Sequence, residues 1–187
     1  MALMTNKTKG WIFGAGLLIL MYMLGRKAKN ALDTSTDQTA LQNPNVKAFL
    51  DTIAYSEGTI HIGDNGYNVF LGGSTFDDYS QHPNQKHTAG KYTGTAAGRY
   101  QFVYKTWQDL ADTLGLTDFT PDSQDLAAVE LLRRAGALDD IGAGNFDAAI
   151  QKSSGTWASL PYSTAGQPTQ KFAILENFYK NSGGSLA

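Results

Sequence analysis

A glutamate placed where a helix should be burying carbon is the first residue in this chain whose type and position could do chemistry. Val46, Phe49, Leu50, Ile53 and Glu57 recur at helical spacing, so one helix would carry all five on one face. That face is apolar for about three turns and then presents a carboxylate. A carboxylate on a core-facing stripe loses hydration, which disfavours its charged form. The negative end of the helix dipole acts in the same direction. Together they would hold a proton on Glu57 near neutral pH, as a general acid requires. The plainer reading is that Glu57 turns outward at the helix end and is solvated.

A second candidate runs from Thr95 to Gln101, as Thr-Ala-Ala-Gly-Arg-Tyr-Gln. Small residues let another molecule approach backbone closely, and Gln101 offers both a donor and an acceptor. The same residues read equally well as a tight turn at Gly98 with Gln101 on the surface. Trp157 with Tyr162, and Tyr79 with Tyr100, could support the apolar face of a sugar ring, or could be core packing.

Other chemistries are excluded on composition and spacing. With no cysteine there is no thiol nucleophile, disulfide framework or Cys-type zinc site. His61, His82 and His87 lack metal-ligand spacing, and are expected in solvated loops. Ser56 has no Gly-x-Ser-x-Gly setting, and no phosphate-cradling glycine loop is present. The formal net charge of -2 hides an asymmetry, because Lys7, Lys9, Arg26, Lys27 and Lys29 crowd the start and leave the rest acidic. The folded part therefore has no basic footprint for nucleic acid.

The elements that must position these residues are mostly helical. Asn43 or Asn45 can cap the Glu57 helix, Pro44 suits its first turn, and Gly58 suits a left-handed position past its end. Tyr67 to Leu71 and Thr75 to Tyr79 read as a small antiparallel hairpin turning at Gly72-Gly73, and 81–98 as a long loop. Further helices are predicted from Tyr100 or Tyr104 to Leu114, from a Thr120 cap and Pro121 to Gly136, after an Asn145 cap, and from about Thr169 to Lys180. The sum is an α+β, mostly helical domain with one small sheet, over residues 43–187.

Ahead of it lies an uncharged apolar run. A helix from about 10 to 25 would span roughly 24 Å, short of the roughly 30 Å hydrocarbon core, with flanking lysine and arginine stems able to snorkel. Three basic residues directly after the run suit a cleavage site poorly, so residues 1–27 are read as an uncleaved N-terminal membrane anchor. Residues 28–42 are polar without apolar periodicity and read as a solvated linker.

Five stretches then occur in one order: Ala54-Tyr-Ser-Glu-Gly-Thr59, Asp78-Tyr-Ser-Gln-His-Pro83, Ala97-Gly-Arg-Tyr-Gln101, Ser123-Gln-Asp125 and Trp157-Ala-Ser-Leu-Pro161. In that order they resemble the bacteriophage lambda lysozyme (endolysin) family, from about Val46 to Gly184. The resemblance implies a lysozyme-like, two-lobed fold with peptidoglycan glycan strands bound between the lobes; the transmembrane helix read ahead of the domain lies outside the resemblance. It implies lytic transglycosylase chemistry without a cofactor or metal: cleavage between N-acetylmuramic acid and N-acetylglucosamine, leaving a 1,6-anhydro end. The family's catalytic glutamate falls on Glu57, and Gln101, Tyr100, Tyr79, Trp157 and Ser159 fall on its cleft. One carboxylate suffices for such an enzyme, because the sugar's own C6 hydroxyl is the nucleophile. A hydrolytic muramidase usually needs two, and Asp64, Asp77 or Asp78 could supply the second. A non-catalytic peptidoglycan-binding protein on the same fold is the remaining alternative. The anchor would hold the domain on the periplasmic side, or in a virion membrane, for host lysis or for entry.

Overall fold

The computed structural model describes Gly25, Lys29 and residues 34–187. The expected membrane helix at about 10–25 lies outside the described residues except for Gly25. Among the described residues no helix is long and apolar enough to cross a membrane.

Helix α1 (Pro44–Ser56) is the axis of the domain. Asn43 caps it by accepting the Asn45 N–H at 2.9 Å, and Pro44 occupies the first turn, where a missing N–H leaves nothing unpaired. Its burial is wider than the expected stripe: Val46, Ala48, Phe49, Leu50, Thr52, Ile53, Ala54 and Ser56 are all buried. A helix buried on most sides lies inside a core rather than on one. The helices that follow it are α2 (Tyr104–Leu114), α3 (Pro121–Arg134), α4 (Leu138–Ala143), α5 (Phe146–Ser153) and α6 (Phe172–Asn181). Helix α1 packs against α4 and α6, while α3 packs against α2 and α4. Phe49 meets Phe146 edge-on at 5.9 Å and Tyr179 at 6.4 Å, which joins α1, α5 and α6. Near α2, Trp107 stands perpendicular to Phe119 at 4.5 Å.

The sheet is displaced from its expected place. Strands β1 (His87–Ala89) and β2 (Tyr92–Gly94) pair antiparallel, with His87 opposite Gly94 and Ala89 opposite Tyr92. They lie within the stretch read as a loop. The Gly72-Gly73 reversal does form, with φ of 92° and 96°, but it closes only the single bridge Val69–Thr75. Phe70 spends its own N–H and carbonyl on Ser74 and Gly73 within the reversal, while Val69 and Leu71 on either side of it bond to Gly98 and Ala96, so this strand is tied to the segment before Gly98 as well.

Three smaller expectations also change. Helix α4 was not foreseen, since six residues with only Ile141 buried are too short to show a period. Thr120 and Asn145 make no side-chain cap bond. Asp118 does the local work before α3, accepting from the Thr120 hydroxyl (2.6 Å), the Thr120 N–H (3.1 Å) and Ser123 Oγ (2.7 Å). His82 is buried rather than solvated. Its Nε2 meets the Phe102 carbonyl at 2.8 Å and its Nδ1 accepts from the Asn84 N–H, and burial lowers its pKa, so it is a neutral core histidine.

The polar linker is not wholly a solvated tether. Residues 34–40 are helical and docked: Thr34 Oγ1 donates to the Leu114 carbonyl at 3.0 Å, and Asp37 is fully buried, 3.8 Å from Arg133 Nε. The docking is largely polar, which is why no apolar period announced it.

Candidate active site

Three backbone turns meet at Glu57. The first is the end of α1. Glu57 is its C-terminal cap, donating its N–H to the Ile53 carbonyl at 2.9 Å, and Gly58 follows with φ 74°. Thr59 returns its N–H to Ala54 (3.0 Å), while its hydroxyl donates across to the Arg99 carbonyl at 2.6 Å.

The second turn runs from Ala97 to Phe102, whose backbones bridge each other. Inside it Gly98 has φ 80° and Gln101 φ 52°. A left-handed glutamine costs roughly 1–2 kcal/mol and persists only where its surroundings fix it. Here the Gln101 amide nitrogen donates to the carbonyls of Gly98 (3.0 Å) and Val69 (3.3 Å). Beneath the turn, fully buried Gln124 accepts the Arg99 N–H at 2.9 Å and donates to the carbonyls of Tyr67 (2.9 Å) and Phe119 (2.8 Å).

The third turn follows α5. Trp157 donates from its indole to the Tyr100 carbonyl at 3.2 Å, and two residues later Ser159 Oγ donates to Glu57 Oε1 at 2.6 Å. Ser56 Oγ donates to Ser159 Oγ at 2.8 Å, which completes a relay of two hydroxyls ending on the carboxyl. The same loop continues to Gly166, whose carbonyl faces the Tyr92 hydroxyl of β2 at 3.5 Å.

The half-buried Glu57 carboxyl is held toward its protonated form. Burial raises its pKa, and the Ser159 hydroxyl, which favours the carboxylate, pulls back less strongly. With Ser159 on Oε1, Oε2 is left as the oxygen to carry and deliver a proton. The arrangement can donate a proton and take one back.

The residues singled out in sequence divide into three groups. Ser159 touches Glu57 directly. Tyr100 and Trp157 are 2% and 4% exposed, so neither offers a ring face to a sugar, contrary to the cleft expectation. They act through the Tyr100 carbonyl and through the Tyr100 hydroxyl, which donates to Asp125 Oδ1 at 2.6 Å. Gln101 has its amide nitrogen turned to its own backbone neighbours, as above. Tyr79 is engaged elsewhere, donating to Asp64 Oδ2 at 2.9 Å, with burial and Asp64 raising its pKa. Among carboxylates of the hairpin region, Asp64 is thus engaged by Tyr79, and Asp78 accepts from the Ser80 N–H, which lowers its pKa.

Sequence reasoning missed Ser56 and Thr59 as partners of the site, along with the partly exposed Asp51 and Tyr67 and buried Arg99 and Gln124. The Ser123-Gln124-Asp125 run carried the only signal for the last of these, and only as a motif.

Ser159→Ala removes the one hydrogen bond that favours ionised Glu57. Its alkaline activity limb is expected to move to higher pH, because the acid keeps its proton longer. Activity at the optimum should fall roughly tenfold, the worth of one hydrogen bond lost from a positioned group. A pH–rate profile of the variant beside the parent measures both.

The sequence and fold can be placed among known proteins. A family model described as Endolysin matches residues 47–186. The endolysin of Escherichia phage lambda is 41% identical over 145 residues, covering 75% of this chain and 92% of that protein. The endolysin of Escherichia phage P2 is 39% identical over 154 residues, covering 75% and 93%. The chain belongs to the endolysin family. Endolysins are peptidoglycan-cleaving enzymes. In three dimensions, bacteriophage lambda lysozyme solved with a chitohexasaccharide superposes with a TM-score of 0.75 at 41% identity, covering 78% of this chain and 97% of that one. A second lambda lysozyme structure gives 0.71 at 39% identity, with the same coverage. The endolysin match begins inside α1, so the docked helix at 34–40 lies outside it.

Proposed function

We propose that this chain is a lytic transglycosylase of peptidoglycan, with Glu57 as general acid and then general base. Protonated Glu57 donates to the glycosidic oxygen as the bond from N-acetylmuramic acid C1 to N-acetylglucosamine breaks. The resulting carboxylate takes the proton of the muramyl C6 hydroxyl as that oxygen bonds to C1. The products are a free 4-hydroxyl and a 1,6-anhydro-muramyl end, with no water consumed. The carrying observation is the company Glu57 keeps. Its proton is governed by burial, and its hydrogen-bonded partner is the hydroxyl of one neutral serine rather than a second carboxyl. A water-activating second acid is the feature a hydrolase ordinarily adds. The lambda enzyme's chitohexasaccharide complex supports a glycan strand as the substrate.

The apolar segment at about 10–25 gives the domain a route to its substrate. In this reading it anchors the protein in the membrane with residues 43–187 on the wall side.

Digestion of purified sacculi followed by mass spectrometry of the muropeptides decides the chemistry. Anhydro-muramyl ends are expected. Reducing ends carrying the mass of one added water would replace this mechanism with a hydrolytic muramidase.

A further inference from the structure

We propose that Arg99 and Tyr100 form the positioning hub of the Glu57 site, and that Asp125, acting through Tyr100, is a positioning residue for the general acid. The inference rests on the reading of Glu57 given above. Its substance is a division of labour within two adjacent residues. Their backbone carbonyls fasten the two segments that carry the acid and its serine: Arg99 accepts from Thr59, two residues after Glu57, and Tyr100 accepts from Trp157, two residues before Ser159. Their side chains enter a partly buried polar network. The Arg99 guanidinium binds Asp51 on α1 and the Asn65 carbonyl, and lies over the Tyr67 ring, 5.0 Å from its centroid. The Tyr100 hydroxyl donates to Asp125 Oδ1 at 2.6 Å, and the Tyr67 hydroxyl donates to the same oxygen at 2.9 Å.

Asp125 is therefore the acceptor on which both tyrosines close. Tyr100 is 2% exposed, and without Asp125 its hydroxyl would exchange a carboxylate acceptor for the neutral Tyr67 hydroxyl beside it, a hydrogen bond about half as strong. The ring can respond to that loss by moving. Tyr67, Tyr100, Asp51 and Asp125 line a cavity of about 350 Å3, so there is room on that side. Any movement of Tyr100 carries its carbonyl, then Trp157, then Ser159, and finally the hydroxyl on Glu57. Displacements well under 1 Å suffice to slow a positioned reaction.

The test uses the full chain acting on soluble, uncross-linked glycan strands, at a temperature where circular dichroism shows each variant folded. Asp125→Ala and Tyr100→Phe are expected to lower kcat by about 10- to 100-fold with little change in KM. Asp125→Asn keeps an oxygen acceptor for both hydroxyls and should restore kcat to within a few-fold of the parent. Leu114→Ala, a buried truncation away from the hub, supplies a control of lowered stability and should leave kcat unchanged. Folded Tyr100→Phe turning over at the parental rate would overturn the proposal, as would an equal kcat loss in Leu114→Ala. Should Asp125→Ala not fold, Tyr100→Phe decides alone, since it deletes a single oxygen. Glu57→Gln run alongside separates the two readings. Activity in that variant would remove the general acid itself, whereas an inactive Glu57→Gln beside parental hub variants would remove only the hub.

Discussion

Glu57→Gln is expected to lose wall-lysing activity by roughly 100- to 10,000-fold while gaining stability at neutral pH. Both effects come from one cause. The amide fits the same space and can still accept from Ser159, but it has no proton to give a departing sugar. It also has no charge to bury. Burial raises the folded-state pKa of Glu57 above its ordinary 4.5, so between those two values the folded protein binds more protons than the unfolded chain. The stabilising contribution of the protonated form is therefore fully present below pH 4.5. It is lost as pH rises through the folded value, above which the protein carries a poorly hydrated carboxylate. Melting curves should show Glu57→Gln more stable than the parent at high pH, with the difference closing as pH falls below the ordinary glutamate value. A variant that kept lysing sacculi would remove Glu57 from the mechanism. One that was inactive yet no more stable at any pH would contradict the buried, protonated carboxyl.

That prediction was largely legible in the sequence, because it depends on local rules. The Asn43 cap, Pro44, the apolar stripe and Gly58 fix where α1 begins and ends, and the position of Glu57 follows from counting. The partners of Glu57 follow from nothing local. Ser159 lies 102 residues away and reaches it across a contact that only the tertiary fold creates. Tyr100 and Trp157 were recognisable as important but not for what they do. A sequence shows an aromatic residue, not whether its ring faces a substrate or its polar atom fastens two turns together. The sheet was misplaced for a related reason. Tyr67 to Leu71 has strand-forming composition, yet Val69 and Leu71 use their backbone groups on Gly98 and Ala96 and Phe70 uses its own on Gly73 and Ser74, while Thr88 and Thr93 pair in a stretch with little apolar pattern. The helix at 34–40 escaped notice because polar bonds to α2 and α3 hold it, and polar residues signal solvent to any reading based on periodicity.

Gly98→Ala is expected to be the most damaging single-methyl change at the site, costing about 2–4 kcal/mol of stability and most of the activity. Two penalties add. At φ 80° any side chain is strained, and a Cβ built there would stand 2.3 Å from Gln124 Oε1 and 2.8 Å from Phe119 Cζ. Neither neighbour can withdraw cheaply. Gln124 is fully buried and fixes the Arg99 N–H with one end and the carbonyls of Tyr67 and Phe119 with the other, while Phe119 is wedged against Trp107. The backbone must then move instead, and it carries the Arg99 and Tyr100 carbonyls on which Thr59 and Trp157 depend. Gly90→Ala is the internal control. Gly90 has φ 59° in the turn between β1 and β2, but nothing lies within 4 Å of an added Cβ, so it should show the conformational penalty alone, about 1–2 kcal/mol. Urea unfolding of the two variants, at unchanged m-value, measures the difference between them. If Gly98→Ala were no worse than Gly90→Ala, and lysed sacculi at the parental rate, the turn would not be the rigid support that places Ser159 on Glu57.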